Sequence, residues 1–554
     1  MFRTTALALT LGATVALGTA SMRAQASQSA LVDEIFKEFS TPGSPGCTAG
    51  AYQGARVVHR GAYGMANLDH DVRLSPSSVF HVASVSKQFT AAAILLLAAD
   101  GKLSLDDEVR KFIPELPDFG QRITIRQLAH HTSGIRDQWD LLGLAGWRYS
   151  RDLITDDDVL QLLTRQKELN FPAGDRHLYS NSGYTLLAVV VSRASGKTFR
   201  EFTTERIFKP LGMASTFFRN NFNEVVKNQA YGYARSGPDF RLSVTNFDTA
   251  GATSLMTTID DLAKWHANFD TPVVGGQPML AALLTRGVLN DKRPIDYAFG
   301  ISHGTYRGVP TVSHGGADAG YRSAYVRFPA QKFGVAVLCN LASTNPMQFA
   351  QRVADVYLGG VLGPVPVPPR PDEATGVQVP AAELQAVAGL YWNAAEAIQR
   401  RFEFRDGKLH AVAPGLIAMK PLGGGRFEIT GAASPVKVAF DSAARPIRLT
   451  VTLPNGTVEH LERHEPYAPT AAALGEFAGT YRSEEIDPAY RFIVREGALR
   501  LERLKAPPAT LAPLVADTFT GPIGVIRFTR DAAGVVTGFV LDGGRIKRMK
   551  FVRE

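Results

Sequence analysis

Ser84-Val85-Ser86-Lys87 opens the run Gln88-Phe89-Thr90-Ala91-Ala92-Ala93-Ile94-Leu95-Leu96-Leu97-Ala98-Ala99, and the reading of this stretch decides the fold. The run is rich in Ala and Leu and has no polar face, which predicts a helix buried on all sides over Phe89 to Ala99. Asp100-Gly101 ends it. A serine and a lysine three apart at the head of a helix are neighbours, with Cβ atoms about 5–6 Å apart. Desolvation penalises an ammonium, so a buried lysine loses its charge more easily than a reference pKa of about 10.4 implies. A neutral Lys87 can then take the proton of Ser84 and activate an otherwise weak nucleophile. The start of the helix also presents backbone N–H groups to a developing oxyanion.

The four-residue pattern alone is weak, because Ser434-Pro435-Val436-Lys437 also fits it. Pro435 and its β-rich surroundings argue against a helix there. Tyr391-Trp392-Asn393 precedes that second instance. Only the first instance has helix context and is followed, in order, by Tyr179-Ser180-Asn181 and His314-Gly315-Gly316. A phenol beside an amine can pass a proton while the amine stays nearby, which gives Tyr179 a role. Asn181 can hold a substrate amide or carbonyl. Glycine at 316 lets backbone approach a ligand closely, and His314 can donate a hydrogen bond. Gly300-Ile301-Ser302-His303-Gly304 matches the nucleophile elbow of another hydrolase class, but Thr305 to Pro310 after it does not read as the helix that motif needs.

The chain has 554 residues, enough for about three domains. Arg3, the apolar or small run Ala6 to Ala20 and the small-x-small triplet Ala24-Gln25-Ala26 read as a secretory signal peptide over 1–26. No later run reaches the roughly 18 apolar residues of a membrane helix, so the mature chain is expected to have no membrane span and to be secreted into a bacterial periplasm. The formal charge is +8, and loss of Arg3 and Arg23 with the leader leaves +6. No basic run interleaved with aromatics accompanies that charge, which argues against nucleic-acid binding. Cys47 and Cys339 are the only cysteines. Export would allow a disulfide, but both lie in apolar, strand-like runs, so two buried free thiols are expected. No metal-ligating or cofactor-binding pattern is read.

Residues 27–362 alternate helical patterns with short strands. Cys47 to Tyr52 and Arg56 to Tyr63 read as a hairpin, Leu186 to Ala194 as a second apolar helix, and Tyr325 to Phe328 with Phe333 to Cys339 as a terminal hairpin. Strands at both ends with helices between suggest one mixed sheet packed on a helical region. Pro364, Pro366, Pro368, Pro369 and Pro371 mark a stiff linker over 363–380. Beyond it the pattern is all-β and repeats at an offset of 90 residues: Leu384 with Leu474, Tyr391 with Tyr481, Arg401-Phe402 with Arg491-Phe492, Leu409 with Leu499. Two small antiparallel barrels are expected, over 381–465 and 466–554.

In these motifs the chain resembles the serine β-lactamase and penicillin-binding protein superfamily, in its class C-like branch. Leu128-Ala129-His130-His131-Thr132-Ser133-Gly134-Ile135, Phe171-Pro172-Ala173-Gly174 and Pro210-Leu211-Gly212-Met213 are similar to further family blocks. The resemblance covers roughly residues 30–360 and implies an α+β fold: a β-lactamase/transpeptidase-like domain followed by two lipocalin-like barrels. It implies that Ser84 is acylated, that Lys87 and Tyr179 share acid–base work, and that the backbone N–H groups of Ser84 and Ala317 form the oxyanion hole. Asn181, His314, Gly316 and Ala317 would contact substrate.

One position departs from the family. Many β-lactamases and peptidases carry Lys where this chain has His314, and a histidine is neutral near pH 7 unless perturbed. That counts against efficient β-lactam hydrolysis and against recognition of a free C-terminal carboxylate. The layout of one catalytic domain and two barrels resembles the bacterial D-aminopeptidases. The expected activity is hydrolysis of a small peptide, amide or ester, with D-amino-acid-containing substrates first. An esterase or β-lactamase is the alternative, and a non-catalytic sensor on the same fold the second alternative.

Overall fold

Small and apolar residues fill Cys47 to Tyr52 and turn at Gln53-Gly54-Ala55, and the expected hairpin forms: β1 (Cys47–Gln53) pairs antiparallel with β2 (Arg56–Tyr63). Near the far end of the first unit lie β3 (Ser302–Tyr306), β4 (Val309–Asp318), β5 (Tyr321–Phe328) and β6 (Phe333–Cys339). The six strands form one sheet in the order β3-β4-β5-β6-β1-β2. Every neighbouring pair is antiparallel, which corrects the expectation of a mixed sheet. The four late strands are joined by tight turns, and β6 returns beside β1 in the opposite sense, so the topology holds no parallel crossover.

The computed structural model describes residues 27–365, 377–413, 415–429, 435–454 and 456–554. Two compact units divide the chain, Met1–Pro364 and Val365–Glu554. The proposed leader, most of the proline-rich linker, and Ser434 of the second Ser-x-x-Lys pattern lie outside the described residues.

All seven residues of β6 and all but the last of β1 are buried, so these central strands are covered on both faces. On one face, Val32, Phe36 and Phe39 pack with Phe349, Val353 and Leu358 of the helix Pro346–Leu358. On the other, the hydroxyl of Tyr52 donates to Ile259 O of the helix Ile259–Asn268 at 2.6 Å. Cys47 and Cys339 are directly opposed in the β1–β6 register and form a disulfide. The expectation of two free thiols was therefore wrong: apolar strand context argued for burial, but a shared register brings the two Cα atoms to 4.0 Å.

The apolar run after Ser84 forms α1 (Lys87–Ala99), buried from Lys87 to Leu97 and ended at Asp100-Gly101 as read. It packs against α2 (Asn181–Ser195), which contains the second predicted helix. Ser84 itself lies in a 3₁₀ turn, Ala83–Ser86, just ahead of α1.

In the second unit, eight strands from Gly389–Asn393 to Val458–His464 close into an antiparallel barrel. Nine more, from Gly479–Arg482 to Ile546–Arg553, form a sheet that curls to near closure, ending at Ala506–Thr510 and Ala512–Val515. The 90-residue repeat is structural. Tyr391 donates to Val387 O and Tyr481 to Phe477 O, each at 2.9 Å. Asp406-Gly407 and Glu496-Gly497 both turn with positive φ at both residues, the geometry of a tight hairpin. Lys437 of the second Ser-x-x-Lys pattern lies on a barrel strand, Val436–Asp441.

Candidate active site

Ser84 is half-buried three residues beyond a short strand, Phe80–His81, and its turn begins at Ala83 with φ 48°. The turn and α1 together keep the three-residue spacing, and Lys87 Nζ lies 3.1 Å from Ser84 Oγ. Lys87 is fully buried. Its Nζ also donates to Asn181 Oδ1 at 2.9 Å and to Ala252 O at 2.6 Å. Tyr179 stands over it, with the amine 4.9 Å from the ring centroid.

Asn181 is the first residue of α2 and is oriented by a residue the motif reading missed. Asp137 Oδ2 accepts from the Asn181 backbone N–H at 2.7 Å and from its Nδ2 at 2.9 Å. A carboxylate only accepts, so the amide turns Nδ2 to Asp137 and Oδ1 to Lys87. In the resting site Asn181 therefore positions the amine, and its Nδ2 carries one further N–H. Asp137 also caps the helix Gln138–Leu144. An Asp ahead of a helix was the only sequence signal it offered.

His131, from the Leu128 to Ile135 block, brackets Tyr179. Its carbonyl accepts from Leu178 N at 2.9 Å, its Nδ1 from Ser180 N at 3.1 Å, and its ring lies 4.1 Å from that of Tyr179. With Nδ1 accepting, the proton sits on Nε2. Burial, then the positive charge of Lys87, hold this imidazole well below its usual range, so it stays neutral.

His314 lies on β4, buried, with its ring 6.1 Å from that of Tyr179. Nδ1–H donates to Gly315 O at 2.7 Å, and Nε2 accepts from the hydroxyl of Tyr297 at 3.0 Å. Burial and the nearby Lys87 charge lower its pKa to about 4. His314 is thus neutral near pH 7.

β4 packs against the Ser84 turn. A side chain at Gly316 would put a Cβ 2.3 Å from Val82 O and 3.0 Å from Ser84 N, so only glycine permits this approach. Ala317, next along the strand, is exposed. The Gly300 decoy has a similar explanation. Ser302 lies on β3 with no helix after it, and Gly300, at φ 71°, backs onto the main chain of Lys87, where a Cβ would sit 2.5 Å from its carbonyl carbon.

This geometry brings Ser84, Lys87, Tyr179, Asn181, His314 and Gly316 into one place from three chain segments. The chain belongs to the Beta-lactamase family, whose sequence model matches residues 32–358. It is similar to a D-aminopeptidase of Gluconobacter oxydans, 26% identical over 452 residues that cover 81% of each chain. A penicillin-binding protein of Bacillus subtilis is 28% identical over 358 residues, covering 62% of this chain and 78% of its own. Among solved structures, the octameric penicillin-binding protein homologue from Pyrococcus abyssi superposes with a TM-score of 0.54 at 22% identity, over 79% of this chain and 99% of that one. Among the described residues, no helix is long and apolar enough to cross a membrane, and no cluster of His, Cys, Asp or Glu could hold a metal ion.

Proposed function

We propose that the protein is a serine hydrolase that acts through an acyl-enzyme on Ser84, with small amides or peptides of D-amino acids as its preferred substrates. The observation that carries this reading is the environment of the buried Lys87 amine, 3.1 Å from Ser84 Oγ. Two carbonyls, Asn181 Oδ1 and Ala252 O, each take an N–H from Nζ. Once the ammonium gives up a proton, the two N–H bonds held by these carbonyls leave its lone pair for the serine hydroxyl. Ser84 Oγ attacks the substrate carbonyl carbon while its proton passes to Lys87. The carbonyl π electrons move to oxygen, where the N–H groups of Ser84 and Ala317 receive the charge. Tyr179, over the amine, relays the proton to the leaving nitrogen or oxygen. Water then attacks the acyl-enzyme by the same path in reverse order.

The neutral His314 favours substrates with no free carboxylate at that point, such as amides, esters and N-terminal residues. The similarity to a D-aminopeptidase over both units supports the D-amino preference. The Cys47–Cys339 disulfide supports export to an oxidising compartment, with residues 1–26 removed and the mature chain periplasmic.

The test is fluorophosphonate labelling of the folded protein, with a panel on wild type and Ser84→Ala. The panel holds D- and L-aminoacyl nitroanilides, short-chain nitrophenyl esters and a chromogenic cephalosporin. The expected result is an adduct on Ser84, D- over L-nitroanilide turnover, weak cephalosporin turnover, and loss of all of it in Ser84→Ala. Absence of an adduct on a folded chain would leave the sensor alternative standing. Ester turnover without any D-nitroanilide turnover would make the protein an esterase.

A further inference from the structure

Three backbone segments converge on Ser84, and one buried side-chain network joins them. His81 lies three residues before Ser84. Asp318 directly follows Ala317. Thr253 directly follows Ala252, the carbonyl that accepts from Lys87. His81 Nε2 lies 2.9 Å from Asp318 Oδ2 and 3.1 Å from Thr253 Oγ1, and the Thr253 hydroxyl donates to that same carboxylate oxygen. The hydroxyl of Tyr149 donates to Asp318 Oδ1. His81, Thr253 and Asp318 are all buried. Burial alone would push the Asp318 carboxyl up, but the hydrogen bond and charge of His81, then the two hydroxyls, outweigh it and hold it below the usual range. Tyr149 stays a phenol, pushed well up by burial and by that carboxylate.

The end of β4 has need of such an anchor. β3 pairs with β4 only from Val309 to Ser313, so residues 314–318 have a strand partner on the β5 side alone. Asp318 then enters a tight turn to Tyr321 through Ala319 at φ 46°. A face of this segment meets the Ser84 turn at Gly316. An oxyanion hole needs its donors placed to about 0.5 Å, and a strand end held by one ladder does not supply that by itself.

We propose that His81, Thr253 and Asp318 are positioning residues, a buried clasp that sets the distance between the Ser84 and Ala317 amides and so forms the oxyanion hole. The proposal rests on the serine-hydrolase reading above. None of the three touches the reacting carbonyl, and none exchanges a proton in the reaction. Asp318 ties the Ala317 amide to the segment that carries Ser84, and Thr253 ties both to the segment that orients Lys87.

The test compares acylation of Ser84 by a nitrophenyl ester with acylation by the matching thionoester, whose sulfur fits an oxyanion hole poorly. A damaged hole lowers the oxo rate more than the thiono rate, whereas loss of folded protein lowers both equally. For His81→Leu the expected result is an oxo rate down about tenfold to a hundredfold, with KM little changed, and an oxo/thiono ratio several-fold smaller. His81→Gln keeps an N–H toward Asp318 and should restore most of the ratio. If His81→Leu does not fold, Asp318→Asn serves, since an amide replaces one of the two accepting oxygens by a donor. An unchanged ratio in the folded variants would overturn the clasp. Lack of wild-type acylation by either ester, with no fluorophosphonate adduct, would instead overturn the hydrolase reading on which it rests.

Discussion

Lys87 shows how much a single side chain depends on its surroundings. A four-carbon ammonium on a surface is a permanent cation; fully buried between two carbonyls and a tyrosine ring it becomes a candidate base. Gly316 matters for the opposite reason, because it has no side chain. Gly316→Ala would drive a Cβ against Val82 O and push β4 away from the Ser84 turn. Over-packing of this kind costs about 1–3 kcal/mol, and displaced oxyanion donors cost on the order of a hundredfold in rate. We expect Gly316→Ala to stay folded in a thermal melt, with a lower Tm, and to label with fluorophosphonate at least tenfold more slowly. Wild-type labelling in that variant would mean that the close approach is not used in the reaction. The residue types at Ser84, Lys87, Tyr179 and His314 were legible from the chain. Asp137 and His131 were not legible as site residues, because neither has a fixed spacing from Ser84 and each acts through a contact made only when its loop packs on the start of α2.

The sheet shows the same division at the scale of elements. Periodicity predicted both hairpins and both apolar helices, since each element's burial is written in its own residues. Strand sense was misjudged, and so were the thiols, because both depend on which strand lies beside which. β1 and β6 are separated by nearly the whole first unit, and the disulfide closes a span of 292 residues. In the chain-entropy account a loop this long stabilises by up to about 5 kcal/mol. Protein isolated without reductant is expected to begin at Ser27 and to titrate no thiol. The double variant Cys47→Ala/Cys339→Ala should melt lower while retaining Ser84 labelling, because the bridge lies in the sheet and touches none of the site side chains. A full thiol titre in exported protein would remove the disulfide and the argument for export with it.

For the whole molecule, buried histidines set the response to acid. Burial lowers His130, His266 and His314 to about 4 each, and holds His131 well below its usual range. An unfolded histidine titrates near 6.5. Between those values the unfolded chain binds more protons than the folded one, so stability is complete above about pH 6.5 and falls as pH drops toward 4. Each such group contributes on the order of 1.4 kcal/mol per pH unit over that window. Asp156, raised to about 6 by burial, acts with the opposite sign over part of the range and only partly offsets three or four histidines. Thermal melts from pH 7.5 to 4.5 should show the Tm of the first unit falling steadily below pH 6.5. A flat profile would mean that the histidines are solvated.

The sequence by itself determined the chemistry present and its order along the chain: a serine and lysine at the head of a buried helix, then Tyr-Ser-Asn, then His-Gly-Gly, then a doubled barrel. These are local properties, carried by side-chain type, periodicity and repeat spacing. Tertiary structure alone decided what those groups do to one another. It paired Cys47 with Cys339, turned Asn181 toward Lys87 through Asp137, held His314 neutral, and joined His81, Thr253 and Asp318 behind the Ser84 turn. Each of these outcomes depends on distance and desolvation between segments far apart in the chain, and no single segment encodes either quantity.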